Sequence, residues 1–305
     1  MSRTVVRAIQ IAGGAVALLL LGLAVRSAWA EAAAIDVRFR IAVAASAVGS
    51  LFVTLLGVIA VWRRLLTDLG VPLGRSAAVQ LWSFSNLGRY LPGKLWQVVG
   101  LVVVSRDLGL PPGLAATGGF LALGLMIGTG ALVGIATLPQ ALPGLGWTSV
   151  AVVALAAGLL VPIVRPGLVT WGVGRLPASF GCRGIRPLGR GAWLRLVLLF
   201  VAAWLAHGAA FLHFAAAFGD VGWSDLPAFT GAYVLAHVGG LVAVFAPGGL
   251  GVREGLLGWL LEGVAPADLP VHFVAIAGRL WSIAAEILVL GLAIVLRLLG
   301  RGRPS

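Results

Sequence analysis

Long apolar stretches separated by short polar segments recur along the whole chain. They fall near residues 9–26, 41–62, 76–105, 114–137, 147–164, 196–218, 227–263 and 270–296. About 20 apolar residues are enough for a helix to cross the hydrocarbon core of a bilayer. Because the stretches have about this length or more, the pattern predicts an all-α polytopic membrane protein.

Two of the stretches are interrupted by a Pro-Gly pair. The first interruption contains Pro92 and Gly93, and the second contains Pro247, Gly248 and Gly249. Proline lacks an amide donor and its ring clashes with the preceding turn, so it breaks a helix. Each interrupted stretch is therefore predicted to form a broken helix or a re-entrant hairpin. About six full spans remain beside these two hairpins.

The two halves of the chain also match each other in layout. An offset of 155 residues superposes the two Pro-Gly pairs and places the span 41–62 on 196–217. Three spans separate the two hairpins, so the second unit enters the membrane from the opposite side. We predict a first transmembrane repeat over residues 1–140 and a second, inverted repeat over residues 141–305. Inverted repeats with broken helices are typical of transporters.

Composition supports the membrane class, and charge predicts an orientation. The chain is 60% hydrophobic and 10% charged, whereas soluble domains carry about 25% charged residues. Its arginines fall on alternate loops, which is the positive-inside pattern, so the net charge of +12 does not indicate a nucleic-acid partner. We expect a multi-pass protein of the bacterial inner (cytoplasmic) membrane with both termini in the cytoplasm.

Candidate binding residues surround the first break. Arg89 and Lys94 flank it, and Lys94 is the only lysine in the chain. A helix that restarts after Pro-Gly presents free amides and a positive dipole end, which suit a phosphate or carboxylate. The alternative is that these cations extend to the lipid head groups at the membrane surface.

A second group of charges lies near the second break and on the last span. His272, Arg279 and Glu286 are spaced by seven residues and therefore share one helix face, which is predicted to face the bundle interior. Arg279 has two candidate partners, Glu254 and Glu286. Such a pair either fixes packing or serves as a coupling or gating element.

The remaining polar groups give little support to catalysis. His207 and His237 are predicted to donate hydrogen bonds within the bundle, and the single cysteine, Cys182, excludes an intrachain disulfide. No Gly-x-Ser-x-Gly or His-Glu-x-x-His motif is present. We therefore expect no enzyme, no catalytic residue, no metal site and no cofactor. The predicted substrate-binding residues are Arg89, Pro92, Gly93, Lys94, Pro247, Gly248, Gly249, Glu254, Arg279 and Glu286.

Two motifs point to a known family. Residues 86–97, from Asn86 to Gln97, and residues 247–254 resemble the two signatures of the lysylphosphatidylglycerol synthase transmembrane family, also called flippase-like. The resemblance runs over nearly the whole chain. It implies translocation of an aminoacylated phospholipid, or participation in glycosyl transfer and polyprenyl-linked sugar pathways. The soluble aminoacyl-transferase domain of the bifunctional members has no counterpart in this sequence, so lysyl transfer is not expected.

Three functions follow from these observations. The first is a flippase-like translocase for an anionic or aminoacylated phospholipid or a lipid-linked glycan. The second is an intramembrane enzyme that transfers a group to lipid, with Glu254 or a histidine as base. The third is a non-catalytic accessory subunit of a membrane glycosyltransferase. The expected partners are membrane lipid and a lipid-modifying synthase or glycosyltransferase, and assembly into a homo-oligomer is left open.

Overall fold

The computed structural model describes residue 26 and residues 39–71, 73–90, 95–138, 148–165, 186–243 and 246–301. Within these ranges the fold is all-helical and contains no strand. The α-helices are α1 (Ile41–Asp68), α2 (Arg75–Asn86), α3 (Leu95–Asp107), α4 (Pro112–Thr137), α5 (Thr148–Val164), α6 (Arg190–Ala215), α7 (Leu226–Val242), α8 (Val252–Glu262) and α9 (Val271–Arg301).

Four of these helices, α1, α4, α6 and α9, are long and apolar enough to cross a membrane. They coincide with four of the six predicted full spans, which confirms the prediction of a membrane protein with transmembrane helices. A fifth predicted span corresponds to α5, which is apolar but shorter. The predicted span at 9–26 lies outside the described residues, apart from Arg26 at its end.

Each interrupted stretch contains two helices instead of one, and a short turn follows the first helix of each pair. A 3-10 turn over Leu87–Tyr90, called here the first turn, follows α2. A 3-10 turn over Pro247–Gly249, called here the second turn, follows α7. The two turns contact each other. The second predicted break is therefore present, whereas Pro92 and Gly93 of the first break lie outside the described residues. The inverted repeat and the re-entrant hairpins stay predictions.

The long helices α1 and α6 run antiparallel and pack along each other. At one end the Arg40 amide donates to the Ala217 carbonyl oxygen at 2.9 Å, and Arg40 forms an ion pair with Asp220. At the other end Arg195 Nη2 lies 2.8 Å from Asp68 Oδ2. We call these the acidic end and the basic end of the bundle, after the charges that lie near them.

Most charged side chains of the described residues lie near one of these two ends. Near the acidic end, the further charges are Asp225, Glu262 and Asp268. The basic end holds Asp68 and Asp107 together with most of the arginines. These are Arg63, Arg64, Arg75, Arg106, Arg165, Arg186, Arg190, Arg195 and Arg297.

Each helix pair around a turn starts and finishes at one end of the bundle, and the two pairs use opposite ends. Arg63 Nε donates to the Leu73 carbonyl oxygen at 2.6 Å, which holds the start of α2 at the basic end. Asp107, the last residue of α3, lies 3.9 Å from Arg297 near the end of α9. The pair α7 and α8 reaches the acidic end instead, where Glu262 Oε1 lies 2.8 Å from His272 Nε2.

Candidate functional site

The second turn is a glycine-dependent break between α7 and α8. Gly248, Gly249 and Gly251 have φ values of 58°, 71° and 78°, a left-handed conformation that is costly for residues with a Cβ atom. An ideal Cβ on Gly249 would also lie 3.0 Å from the Gly240 Cα atom. The glycines are therefore needed both for the backbone conformation and for the close approach of α7.

A buried carboxylate stabilises the start of α8 after this break. Glu254 is 3% exposed, and its Oε2 accepts a hydrogen bond from the Gly251 amide at 2.8 Å. A carboxylate in this position satisfies an otherwise free amide of the first turn and interacts favourably with the helix dipole. Glu254 is consequently fixed beside the break rather than directed towards lipid.

Arg279 on α9 connects the break to a long helix. Its Nη1 lies 3.5 Å from Glu254 Oε1 and donates to the Gly248 carbonyl oxygen at 2.9 Å. The structure thus shows Glu254, one of the two predicted candidates, as a partner of Arg279. Glu286 is half-buried further along the same helix. His272 lies at the acidic end of the same helix, where it contacts Glu262 of α8.

A second arginine, Arg253, has only neutral partners among the described residues. Its Nη2 donates to the Tyr233 hydroxyl at 3.1 Å and to Ser282 Oγ at 3.3 Å. Its guanidinium carbon lies 5.2 Å from the centre of the Tyr233 ring, a cation–π distance. Glu254 balances Arg279, but no carboxylate of the described chain forms an ion pair with Arg253. Together, Arg253, Glu254 and Arg279 carry two positive charges and one negative charge.

Aromatic rings enclose this charged group on the side of α6. Tyr233 lies 6.3 Å from His207 and 5.9 Å from His237, measured between ring centres. The His207 Nδ1 atom is 2.9 Å from the Ala203 carbonyl oxygen, which can only accept, so His207 donates within its own helix. This confirms the hydrogen bond predicted for His207.

The first break brings further polar groups to the same region. Ser83, Ser85 and Asn86 are buried at the end of α2, directly before the first turn. Arg89 belongs to that turn, which contacts the second turn that begins at Pro247. The predicted residues Pro92, Gly93 and Lys94 lie outside the described residues.

The site predicted from the sequence does not include Arg253, Tyr233 or Ser282. Sequence position gives a signal for two of these residues, Arg253 and Ser282. Arg253 directly precedes Glu254, and Ser282 follows Arg279 by three residues, which places both side chains on one face of α9. Tyr233 carries no comparable signal, because its role depends on how α7 packs against α8.

The described residues near the second turn bring together two arginines, Arg253 and Arg279, and one carboxylate, Glu254. The described residues include no group of three histidine, cysteine, aspartate or glutamate side chains that could hold a metal ion.

No known protein family matches the chain, and no curated protein matches it. The family resemblance of the two break motifs therefore stays a prediction.

Proposed function

We propose that this protein translocates a membrane lipid with an anionic, phosphate-containing head group, and that the two breaks form the part of the path that binds the phosphate. The observation that carries the proposal is that Arg253 contacts only neutral groups among the described residues. A charge in a membrane-spanning bundle is costly unless it is paired, and the described partners of Arg253 are the neutral groups Tyr233 and Ser282. A guanidinium binds phosphate through two parallel hydrogen bonds, so a lipid phosphate supplies the missing anion.

The pattern of helix contacts supports an inverted repeat. The offset of 155 residues relates α1 to α6, α2 to α7, α3 to α8 and α4 to α9. The contacts follow the same relation, since α2 packs on α9 as α7 packs on α4, and α3 packs on α4 as α8 packs on α9. A two-fold axis in the membrane plane produces such pairs. With the two hairpins entering from opposite ends, the breaks meet between them, as in transporters that bind substrate at mid-depth.

Charge supports the orientation. The basic end holds nearly all described loop arginines, and such loops stay in the cytoplasm. We therefore place the basic end at the cytoplasmic face of the inner membrane, with both termini on that side. The first hairpin then opens to the cytoplasm and the second to the outside, so each leaflet has its own hairpin.

The resemblance to the flippase-like family supports the same class of substrate. The residues that carry it include both breaks, and Lys94 belongs to the first motif. An aminoacylated phospholipid and a lipid-linked glycan both contain the phosphate that the proposed site would bind. No described feature favours the group-transfer enzyme or the accessory subunit over the translocase.

A flip assay in proteoliposomes tests the proposal. Vesicles would contain fluorescent phosphatidylglycerol, and an impermeant reductant would bleach the outer leaflet, so that further bleaching reports lipid brought out from inside. We expect wild type to translocate and Arg253→Gln and Lys94→Ala to be slower by about tenfold or more, since a charge-assisted hydrogen bond contributes about 1.5 to 3 kcal/mol. Arg297→Gln, which removes an exposed arginine at the basic end, is the matched control.

Two results would count against the proposal. The test would be repeated with anionic, zwitterionic and polyprenyl lipids. If the fluorescent lipid bleaches no faster in vesicles with wild-type protein than in protein-free vesicles, the protein does not translocate lipid by itself. The enzyme and accessory alternatives would then take precedence. If wild type translocates but Arg253→Gln does so at the same rate, the phosphate is not bound at Arg253.

A further inference from the structure

A large apolar cleft lies near the acidic end between the start of α1, the end of α6 and the first half of α9. Its volume is about 650 Å³, which lies within the range of small-molecule binding pockets, about 300 to 1,000 Å³. Every described residue that lines it is apolar or aromatic. The aromatic members are Phe39, Phe214, Phe218, Phe273 and Trp281.

The cleft combines small and aromatic side chains and opens on the surface of the bundle. Ala44, Ala277 and Ala284 are the small residues that the structure places in its lining with Ala45. Leu280 also lines it and is 67% exposed, so the cleft opens on the outer surface of the bundle. Well-packed protein interiors rarely leave voids much larger than a water molecule. Within a bilayer, the exposed side of such a cleft would face lipid hydrocarbon.

The corresponding place on the other half of the bundle is closed. The offset of 155 residues relates Trp281 to Met126 and Ala45 to Phe200. Met126, Phe200 and Trp204 surround a cavity of only about 10 Å³ between α1, α4 and α6. Of these two spaces lined by described residues, the larger therefore lies on the α9 side.

The inner wall of the cleft is also the outer wall of the charged site. Trp281 lies 6.2 Å from Tyr233, measured between ring centres, and the Tyr233 hydroxyl accepts the hydrogen bond from Arg253. Ser282, the residue after Trp281, accepts the second hydrogen bond from Arg253. Trp281, which lines the cleft, is thus connected to the Arg253 site through Tyr233 and through its neighbour Ser282.

We infer that this cleft binds one acyl chain of the lipid whose phosphate is bound near Arg253, an assignment that rests on the proposed function for the head group alone. The apolar lining excludes a sugar, an ion or a head group, because none of these would find a hydrogen-bond partner there. An acyl chain gains contacts with five aromatic rings, and its entry needs no opening through the bundle. The lipid would therefore enter laterally between α1 and α9.

Photolabelling tests this inference. The probe is phosphatidylglycerol with a diazirine in the middle of one acyl chain, incorporated into phosphatidylglycerol and phosphatidylcholine vesicles, and adducts are located by mass spectrometry. We expect adducts on residues 39–48 and 273–284. The double variant Ala44→Phe with Ala277→Phe fills the cleft and should lower these adducts about fivefold or more, since overfilling an apolar site weakens binding. Ala157→Phe, at an exposed alanine on α5, should leave them unchanged.

A second measurement identifies the occupant without filling the cleft. Leu280→Cys in a Cys182→Ser background carries a benzophenone label, and the captured species is analysed after illumination in the same vesicles. Captured phospholipid supports the inference. Capture of residues 1–38 of the same chain, or of a second copy, overturns it, as does labelling that the filled variant does not reduce.

The photolabelling and flip assays separate this inference from the proposed function. Adducts in the cleft without translocation would leave the acyl-chain site in place and reject the translocase. Translocation without adducts in the cleft would reject the acyl-chain site and leave the translocase in place.

Discussion

Glu254 and Arg279 should be energetically coupled, because they form a buried ion pair across α8 and α9. Their side chains are 1% and 11% exposed, and the nearest charged atoms are 3.5 Å apart. The perturbation is a double-mutant cycle of Glu254→Gln, Arg279→Gln and the combined variant. Glutamine keeps the acceptor that the Gly251 amide uses at 2.8 Å, so Glu254→Gln removes the charge and preserves the helix start.

The geometry gives the expected size of the effect. Removing one partner of a buried pair leaves the other charge uncompensated and costs about 3 to 5 kcal/mol of unfolding free energy. Arg279→Gln also loses the hydrogen bond to the Gly248 carbonyl oxygen, worth about 1 kcal/mol. The combined variant leaves no isolated charge from this pair. It should therefore be more stable than the sum of the single changes by about 2 kcal/mol or more.

The measurement is reversible unfolding from mild into denaturing detergent, followed by tryptophan fluorescence. The matched control is a cycle on Asp107 and Arg297, whose side chains are 58% and 40% exposed and lie 3.9 Å apart. Exposed pairs contribute about 1 kcal/mol at most. A coupling between Glu254 and Arg279 no larger than that of the control pair would refute the idea that this ion pair stabilises the fold.

Two further changes separate function from stability. Arg253→Gln should leave the unfolding free energy within about 2 kcal/mol of wild type, because it loses two hydrogen bonds to neutral groups and also removes an uncompensated charge. Translocation should nevertheless be slower by about tenfold or more. Destabilisation as large as that of Glu254→Gln would contradict a binding role. Gly249→Ala should cost about 2 kcal/mol or more, because its φ is 71° and a Cβ would meet the Gly240 backbone. The control Gly255→Ala lies in helical backbone with open space around it, so it should be neutral or stabilising by about 1 kcal/mol in the same unfolding measurement.

The apolar pattern predicted where the long helices lie but not where they end. It ended the second predicted span at residue 62, whereas α1 continues to Asp68, and it began another at 196, whereas α6 begins at Arg190. Charged residues at the ends of a span continue the helix into the polar interface, where their side chains reach water. Hydropathy marks the apolar core of a span and therefore misses these polar turns.

The breaks were predicted from proline, yet their observed geometry depends on glycine. Pro247 only begins the second turn, whereas Gly248, Gly249 and Gly251 adopt the left-handed conformations that redirect the chain. Sequence could indicate that the helix stops here. It could not give the direction of α8, because that depends on the contact between Gly249 and Gly240 across two helices.

The charged site was predicted only in part for a similar reason. Helix spacing placed Arg279 inside the bundle, but its partner Glu254 lies on a different helix, and only the packing of α8 on α9 selects it. Arg253 was missed because neighbours in a helix point in different directions. Glu254 turns back to the start of α8, while Arg253 reaches Tyr233 on α7 and Ser282 on α9.

The two proposed repeats share an arrangement of helices but differ in their charged residues. This difference bears on the proposed mechanism. At the offset of 155 residues, Arg253 and Glu254 correspond to Val98 and Val99, whereas Lys94 corresponds to Gly249. Each break thus carries a cation that the other lacks, and at a different position relative to the proline. A symmetric pair of sites would bind a phosphate equally from both faces. In the proposed translocase, unequal sites would give the phosphate a different affinity on each face, and the unequal charges would favour loading from one face.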